Sequence, residues 1–152
     1  MISKTSHNIQ SFYHFCSETL WEPVAFSAFH NQEVIYQKND IIQFDGVDLN
    51  EGESYQNQNG YFICPMNGIY GVSAHILSPL NFEMNGSIMK EKTRIAEFES
   101  DYSADLRLSS GNFVVTKCLV GERLWVRSDV NNAKTTWGSR FTTFSGFLVQ
   151  EI

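Results

Sequence analysis

The sequence predicts an all-β fold, a two-sheet antiparallel sandwich of the jelly-roll kind with about ten short strands. Three observations carry this. From Pro23 onward apolar residues recur with a period of two rather than 3.6. Turn residues, such as Asp45-Gly46, Asn59-Gly60, Pro65-Met66-Asn67-Gly68 and Gly121-Glu122, break the chain at short intervals. No helical stretch of about 10–15 residues separates the strand candidates, which removes parallel βαβ architectures.

The elements follow in order. Residues 1–21 stand apart: Ile9, Phe12, Tyr13, Cys16 and Leu20 fall at helical spacing, enough for a short helix or a packing arm before a domain over 22–152. Val24, Phe26 and Ala28 alternate with Ala25, Ser27 and Phe29. Ile41-Ile42-Gln43-Phe44 reads as a strand closed by Asp45-Gly46. Asp45 to Gly52 has the composition of a calcium loop but not the oxygen spacing or the flanking helices, so a turn is expected there. Strands are expected at Tyr61–Cys64, Ile69–Leu77 and Phe113–Val120, and again where Leu124, Val126 and Ser128 alternate with Trp125, Arg127 and Asp129. Asn85-Gly86 is read as a tight hairpin turn, in preference to the glycosylation sequon that Asn85-Gly86-Ser87 also spells. In the closing strand, Phe141 to Ile152, Phe144 and Leu148 share one face while Phe147 and Val149 share the other. A sandwich covers only one face of a strand, so the second cover is expected from another subunit.

The chain has 152 residues, 42% hydrophobic and 18% charged, which fits one globular domain. Its net charge of −6 argues against general nucleic-acid binding, which draws on phosphate neutralisation, and against anionic membrane surfaces. No run approaches the ~20 apolar residues of a membrane span, and the first residues lack the apolar stretch of about 7–15 residues of a secretory leader. Cys16, Cys64 and Cys118 have no zinc or redox spacing. Cys64 and Cys118 read first as buried small hydrophobes, with a disulfide between them as the alternative. His7, His14, His30 and His75 are scattered, with no metal-ligand spacing, and Thr143-Phe144-Ser145-Gly146-Phe147 lacks the setting of a nucleophile elbow. His75 reads as a satisfied core or interface histidine. No enzyme and no obligatory cofactor are expected.

These residues resemble a known family, the globular heads of complement C1q. The resemblance runs through Pro23-Val24-Ala25-Phe26-Ser27-Ala28, then Phe44-Asp45-Gly46-Val47 with Asn50, Gly52 and Tyr55. It continues through Gly60-Tyr61-Phe62-Ile63-Cys64-Pro65, Gly68-Ile69-Tyr70, Ser110-Gly111 and Gly121-Glu122-Arg123-Leu124-Trp125, and closes at Thr143-Phe144-Ser145-Gly146-Phe147-Leu148. It implies a ten-stranded jelly roll of the tumour-necrosis-factor-like type, assembled as a tight trimer with its first, last and two central strands facing inward. It further implies an extracellular recognition module, lectin-like in many invertebrate members of innate immunity. No Gly-X-Y collagen stalk is present. Some members bind calcium at the trimer apex; aligning on Ser110-Gly111 puts Arg107 where the nearer carboxylate belongs and Glu99 near the farther one, which argues against calcium. The acidic run Glu97, Glu99, Asp101 and Asp105 supplies the metal candidates Glu99, Asp101 and Asp105, with a solvated loop as the alternative.

The ligand candidates come from the long polar segment Asn131–Arg140. Trp137 sits there between Lys134 and Arg140, with Asn131 and Asn132 upstream and Arg107 as a further cation. An aromatic ring stacks on the apolar face of a sugar, amides bind hydroxyls, and the cations suit an anionic group. The alternative is a Trp137 ring folded back to pin the loop. The expectation is a homotrimer that binds microbial carbohydrates or lipopolysaccharide-like ligands. The second reading is a protein–protein ligand module of cytokine or adaptor type without glycan binding.

Overall fold

The computed structural model describes residues 22–101, 103, 105–131, 134–136 and 138–152. The arm or helix expected over 1–21 lies outside the described residues. Among the described residues there are twelve strands: β1 (Ala25–His30), β2 (Val34–Tyr36), β3 (Gly46–Glu51), β4 (Tyr55–Gln56), β5 (Tyr61–Ile63), β6 (Gly68–Leu77), β7 (Met84–Lys90), β8 (Thr93–Ser100), β9 (Ser109–Cys118), β10 (Arg123–Ser128), β11 (Lys134–Thr136) and β12 (Ser139–Glu151). Ten of them form two five-stranded sheets, ordered β3-β1-β12-β6-β9 and β4-β5-β10-β7-β8, and β2 pairs with β11 alone. Every ladder is antiparallel. The expected jelly roll is present, and the two extra strands form a flap at one end.

Period-two alternation builds the core. In β1, Phe26, Ala28 and His30 point inward and are buried; in β12, Thr142, Phe144, Gly146 and Leu148 do the same. Aromatic rings fill the space between the sheets. Phe26 stacks on Tyr55 at 5.0 Å and on Phe62 at 4.7 Å, and meets Phe144 edge-on at 4.8 Å. Such pairs add about 0.5–1.5 kcal/mol each beyond their buried area.

Four expectations are corrected. Ile41–Phe44 is not a ladder strand: Ile41 makes one bridge to Arg127, while Ile42 and Phe44 are fully buried as core anchors. The Phe44 backbone is satisfied by a side chain, since the Tyr55 hydroxyl accepts from its N–H at 3.3 Å and donates to its C=O at 3.0 Å. The segment expected as a turn over Asp45–Gly52 is mostly edge strand β3, laddered to β1; the reversal comes at Gly52, whose φ of 80° suits glycine. Asn85-Gly86 is no hairpin turn. It lies inside β7, with Asn85 opposite Glu99 and Gly86 opposite both Phe98 and Ser128. Cys64 and Cys118 are not merely small hydrophobes, because they form a disulfide, buried at both ends, that ties the residue just after β5 of one sheet to the end of β9 in the other.

The open edge between β8 and β9 is closed by side chains. Ser110 Oγ donates to the Glu99 carbonyl at 2.8 Å, and Asn112 Nδ2 donates to the Glu97 carbonyl at 2.9 Å. Edge carbonyls left bare invite pairing with another chain, and these two are occupied.

The register also sorts the loops. His30 faces Ser139, Leu77 faces Ser109, Met84 faces Ser100 and Gly86 faces Ser128. The segments after β1, β6, β8 and β10 therefore gather at one end of the sandwich, opposite the start of β1 and the end of β12.

Candidate functional site

Two surfaces compete as functional sites. The first is the outer face of the β3-β1-β12-β6-β9 sheet. Its registered rows are Leu49–Ser27–Ser145–Ser73–Phe113, Glu51–Ala25–Phe147–Gly71–Val115 and Gly46–Phe29–Thr143–His75–Gly111. Phe113 (54% exposed), Val115 (55%) and Phe147 (49%) lie on it, with Phe141 and Val149 farther along β12. Small residues occupy the middle, so rings lie down rather than stand. A Cβ on Gly71 would sit 3.0 Å from Phe113 Cζ and 3.5 Å from Phe147 Cζ. A Cβ on Gly111 would sit 2.3 Å from His75 Cδ2. The result is a close-approach surface of small residues and half-exposed rings, on strands already buried on their inner side. The two-sided reading of β12 holds: Phe144 and Leu148 are buried, Phe147 and Val149 half-exposed. His75 stands exposed on this face, with Ser73 Oγ 3.4 Å from its Nδ1, so it is no core residue.

The second surface is the loop end, where most sequence-predicted site residues lie. Lys134 is in β11 opposite Tyr36, so the segment expected as a free loop is partly laddered to β2. Asn131 is exposed beside it. Trp137 and Asn132 lie outside the described residues. Arg107 is exposed in the β8–β9 connection. Arg140 is committed elsewhere: its Nη2 and Nε donate to the Asp48 carboxylate at 2.7 and 3.1 Å, and its guanidinium lies 4.3 Å from the centre of the Phe29 ring. Sequence reasoning misses Asp48 and Phe29 as its partners, because the turn-forming residues around Asp48 conceal the strand β3 that sets it near β12. Asp101 and Asp105 are exposed, and Glu99 sits in β8. Among the described residues no three His, Cys, Asp or Glu side chains converge in a way that could hold a metal ion.

Beneath the flap lies a buried polar network. Tyr36 Oη sits 3.2 Å from His30 Nε2, donates to the Gln43 carbonyl and accepts from the Gln43 N–H. His30 is fully buried and its Nδ1 has no partner among the described residues. Burial pushes the His30 imidazole down to about 4, against a smaller opposing pull from Asp45. Burial also raises the Tyr36 hydroxyl above its ordinary range. This network ties the flap to the body of the sandwich.

Comparison with known proteins decides the family. The C1q domain model matches residues 25–149. The chain belongs to the C1q domain family. It is 26% identical over 128 residues to one chain type of the human complement C1q subcomponent, covering 84% of this chain and 51% of that protein. It is 29% identical over 100 residues to bovine protein HP-25 homolog 2, covering 66% of this chain and 46% of the relative. The chain thus spans about half the length of the curated relatives it matches. Among solved structures, the globular domain of zebrafish complement 1qA protein superposes with a TM-score of 0.72 at 20% identity, covering 85% of this chain and 99% of that one. The Eiger tumour-necrosis factor of S. frugiperda gives 0.74 at 13%, covering 86% and 95%. Murine APRIL at pH 5.0 gives 0.66 at 15%, covering 84% and 99%. C1q and tumour-necrosis-factor-like domains trimerise and act as non-enzymatic recognition or ligand modules. No helix among the described residues is long and apolar enough to cross a membrane.

Proposed function

We propose that this C1q domain is an extracellular homotrimer that recognises microbial carbohydrates or lipopolysaccharide-like ligands, in the manner of a lectin-like pattern receptor. The observation that carries the assembly is the outer face of β12, β6 and β9, with Phe113, Val115 and Phe147 half-exposed around Gly71. Obligate interfaces of this kind bury roughly 2,000 Å² or more and resemble a core cut in half. Threefold assembly repeats the loop end three times, and multivalent contact raises avidity for repetitive surfaces without new contacts. Asn131, Lys134 and Arg107 are the candidate ligand contacts at that end, and Asn132 and Trp137, outside the described residues, complete the set. The Cys64–Cys118 disulfide supports an oxidising, extracellular setting.

Calcium is not part of the proposal, because Arg107 stands where the family's nearer carboxylate belongs; trimers should persist unchanged in chelator. The ligand reading is tested on a glycan array and on immobilised lipopolysaccharide with wild type, Trp137→Ala and Lys134→Ala. Trimeric variants that lose the wild-type signal support it, and variants that bind normally remove this loop as the site. The second reading is a protein–protein ligand module. A blank array together with one captured protein partner selects it.

A further inference from the structure

Asn85-Gly86-Ser87 is the single Asn-X-Ser/Thr triplet in the 152 residues. The alternative of a hairpin turn is gone, because the triplet lies within β7. Met84 and Ile88 of β7 are buried in the core, so Asn85 between them points out from the β4-β5-β10-β7-β8 sheet. It lines an open groove of about 380 Å³ bordered by Arg94, Glu97, Glu99 and Asp129. Asn85 Oδ1 is buried and has no hydrogen-bond partner among the described residues, while the residue as a whole is partly exposed. No hydrogen bond among the described residues engages its side-chain Nδ2 either, so the amide of this groove-lining residue is uncommitted.

We infer that Asn85 is an N-glycosylation site, with Nδ2 carrying an N-acetylglucosamine-based glycan. The inference rests on the extracellular reading, since the transfer needs passage through the secretory compartment. A lipid-linked pyrophosphate oligosaccharide is the donor. The Nδ2–C1 bond forms, the bond from C1 to the pyrophosphate oxygen breaks, Nδ2 loses a proton, and the lipid pyrophosphate leaves. Transfer must precede pairing of β7, because the Ser87 hydroxyl of the sequon is fully buried and donates to Asp129 in the folded domain. After folding, the groove accommodates the first sugar. Arg94, half-exposed and paired with Glu97, sits at its rim to bond sugar hydroxyls. The glycan would leave from the sheet opposite the apolar face, so it is compatible with trimer assembly.

The test is secretion of the full chain, behind a secretory leader, from a eukaryotic host. Intact mass is read before and after peptide N-glycosidase, beside a non-reducing peptide map of Cys64–Cys118 and light scattering on the same material. Support is a glycan on wild type that the enzyme removes, that survives in Ser87→Thr, and that is absent in Asn85→Gln. Exported, disulfide-bonded wild type without a glycan overturns the inference and leaves the extracellular reading intact. A glycosylated chain that scatters as a monomer keeps the inference and overturns the trimer.

Discussion

His30 shows how far one buried group can set the response of the domain to pH. Its imidazole is fully buried, its Nδ1 has no partner among the described residues, and burial holds it at about 4 against 6.5 for an unperturbed histidine. The unfolded chain therefore binds the proton more readily than the folded one. The stability conferred by a neutral His30 is fully present above pH 6.5 and is lost as pH falls toward 4, by about 3 kcal/mol in all. Urea unfolding at pH 7.5 and pH 4.5 should show this loss in wild type, and His30→Leu should flatten it. An equal slope in the variant would place the acid sensitivity elsewhere. Gly86 is a second such position. A Cβ there would meet the Phe98 ring at 2.5 Å and the Arg127 carbonyl at 3.0 Å. Gly86→Ala should cost about 1–3 kcal/mol by overpacking, read as a lowered thermal midpoint. Neither constraint is visible in the residue's own letter; both depend on what the fold brings against it.

At the scale of elements, what is legible in the sequence follows from the period of two. The inward positions of β1, β6, β10 and β12 can be read from alternation alone, and so can the second apolar face of β12. The misread segments are those whose backbone partners are not local. Phe44 has the pattern of a strand residue, but a tyrosine hydroxyl eleven residues away takes the place of a ladder. Gly46–Glu51 has the composition of a turn because Asp, Asn and Gly are turn formers, yet pairing with β1 overrides that tendency. The polar segment at Lys134–Thr136 hides a ladder to β2, about a hundred residues earlier in the chain. Spacing does not decide the cysteine pairing either, because it does not report distance. The disulfide closes a loop with a separation of 54 residues, so Cys118→Ala should lower unfolding free energy by roughly 2–4 kcal/mol. Equal stability of wild type and variant in denaturant would contradict the staple. The candidate ligand residues are legible only as composition: the described ones share one end of the sandwich, but Arg140 is held by Asp48 across β1.

The whole molecule is organised by what each sheet does with its outer face. One sheet carries charged ladders outward: Arg94 pairs with Glu97, Arg127 with Asp129 at 2.7 Å, and Arg123 with Glu91 at 2.6 Å. The other carries Phe113, Val115 and Phe147 over glycine and serine. An apolar surface of that kind on one side is what the proposed assembly would cover. Light scattering on a size-exclusion column probes that interface, with wild type at decreasing concentration beside Phe113→Glu and Phe147→Glu. Wild type is expected at three times 17.4 kDa, about 52 kDa, holding on dilution, and both charged variants as folded monomers. Wild type running at 17.4 kDa, or variants that remain trimeric, would contradict assembly through this face.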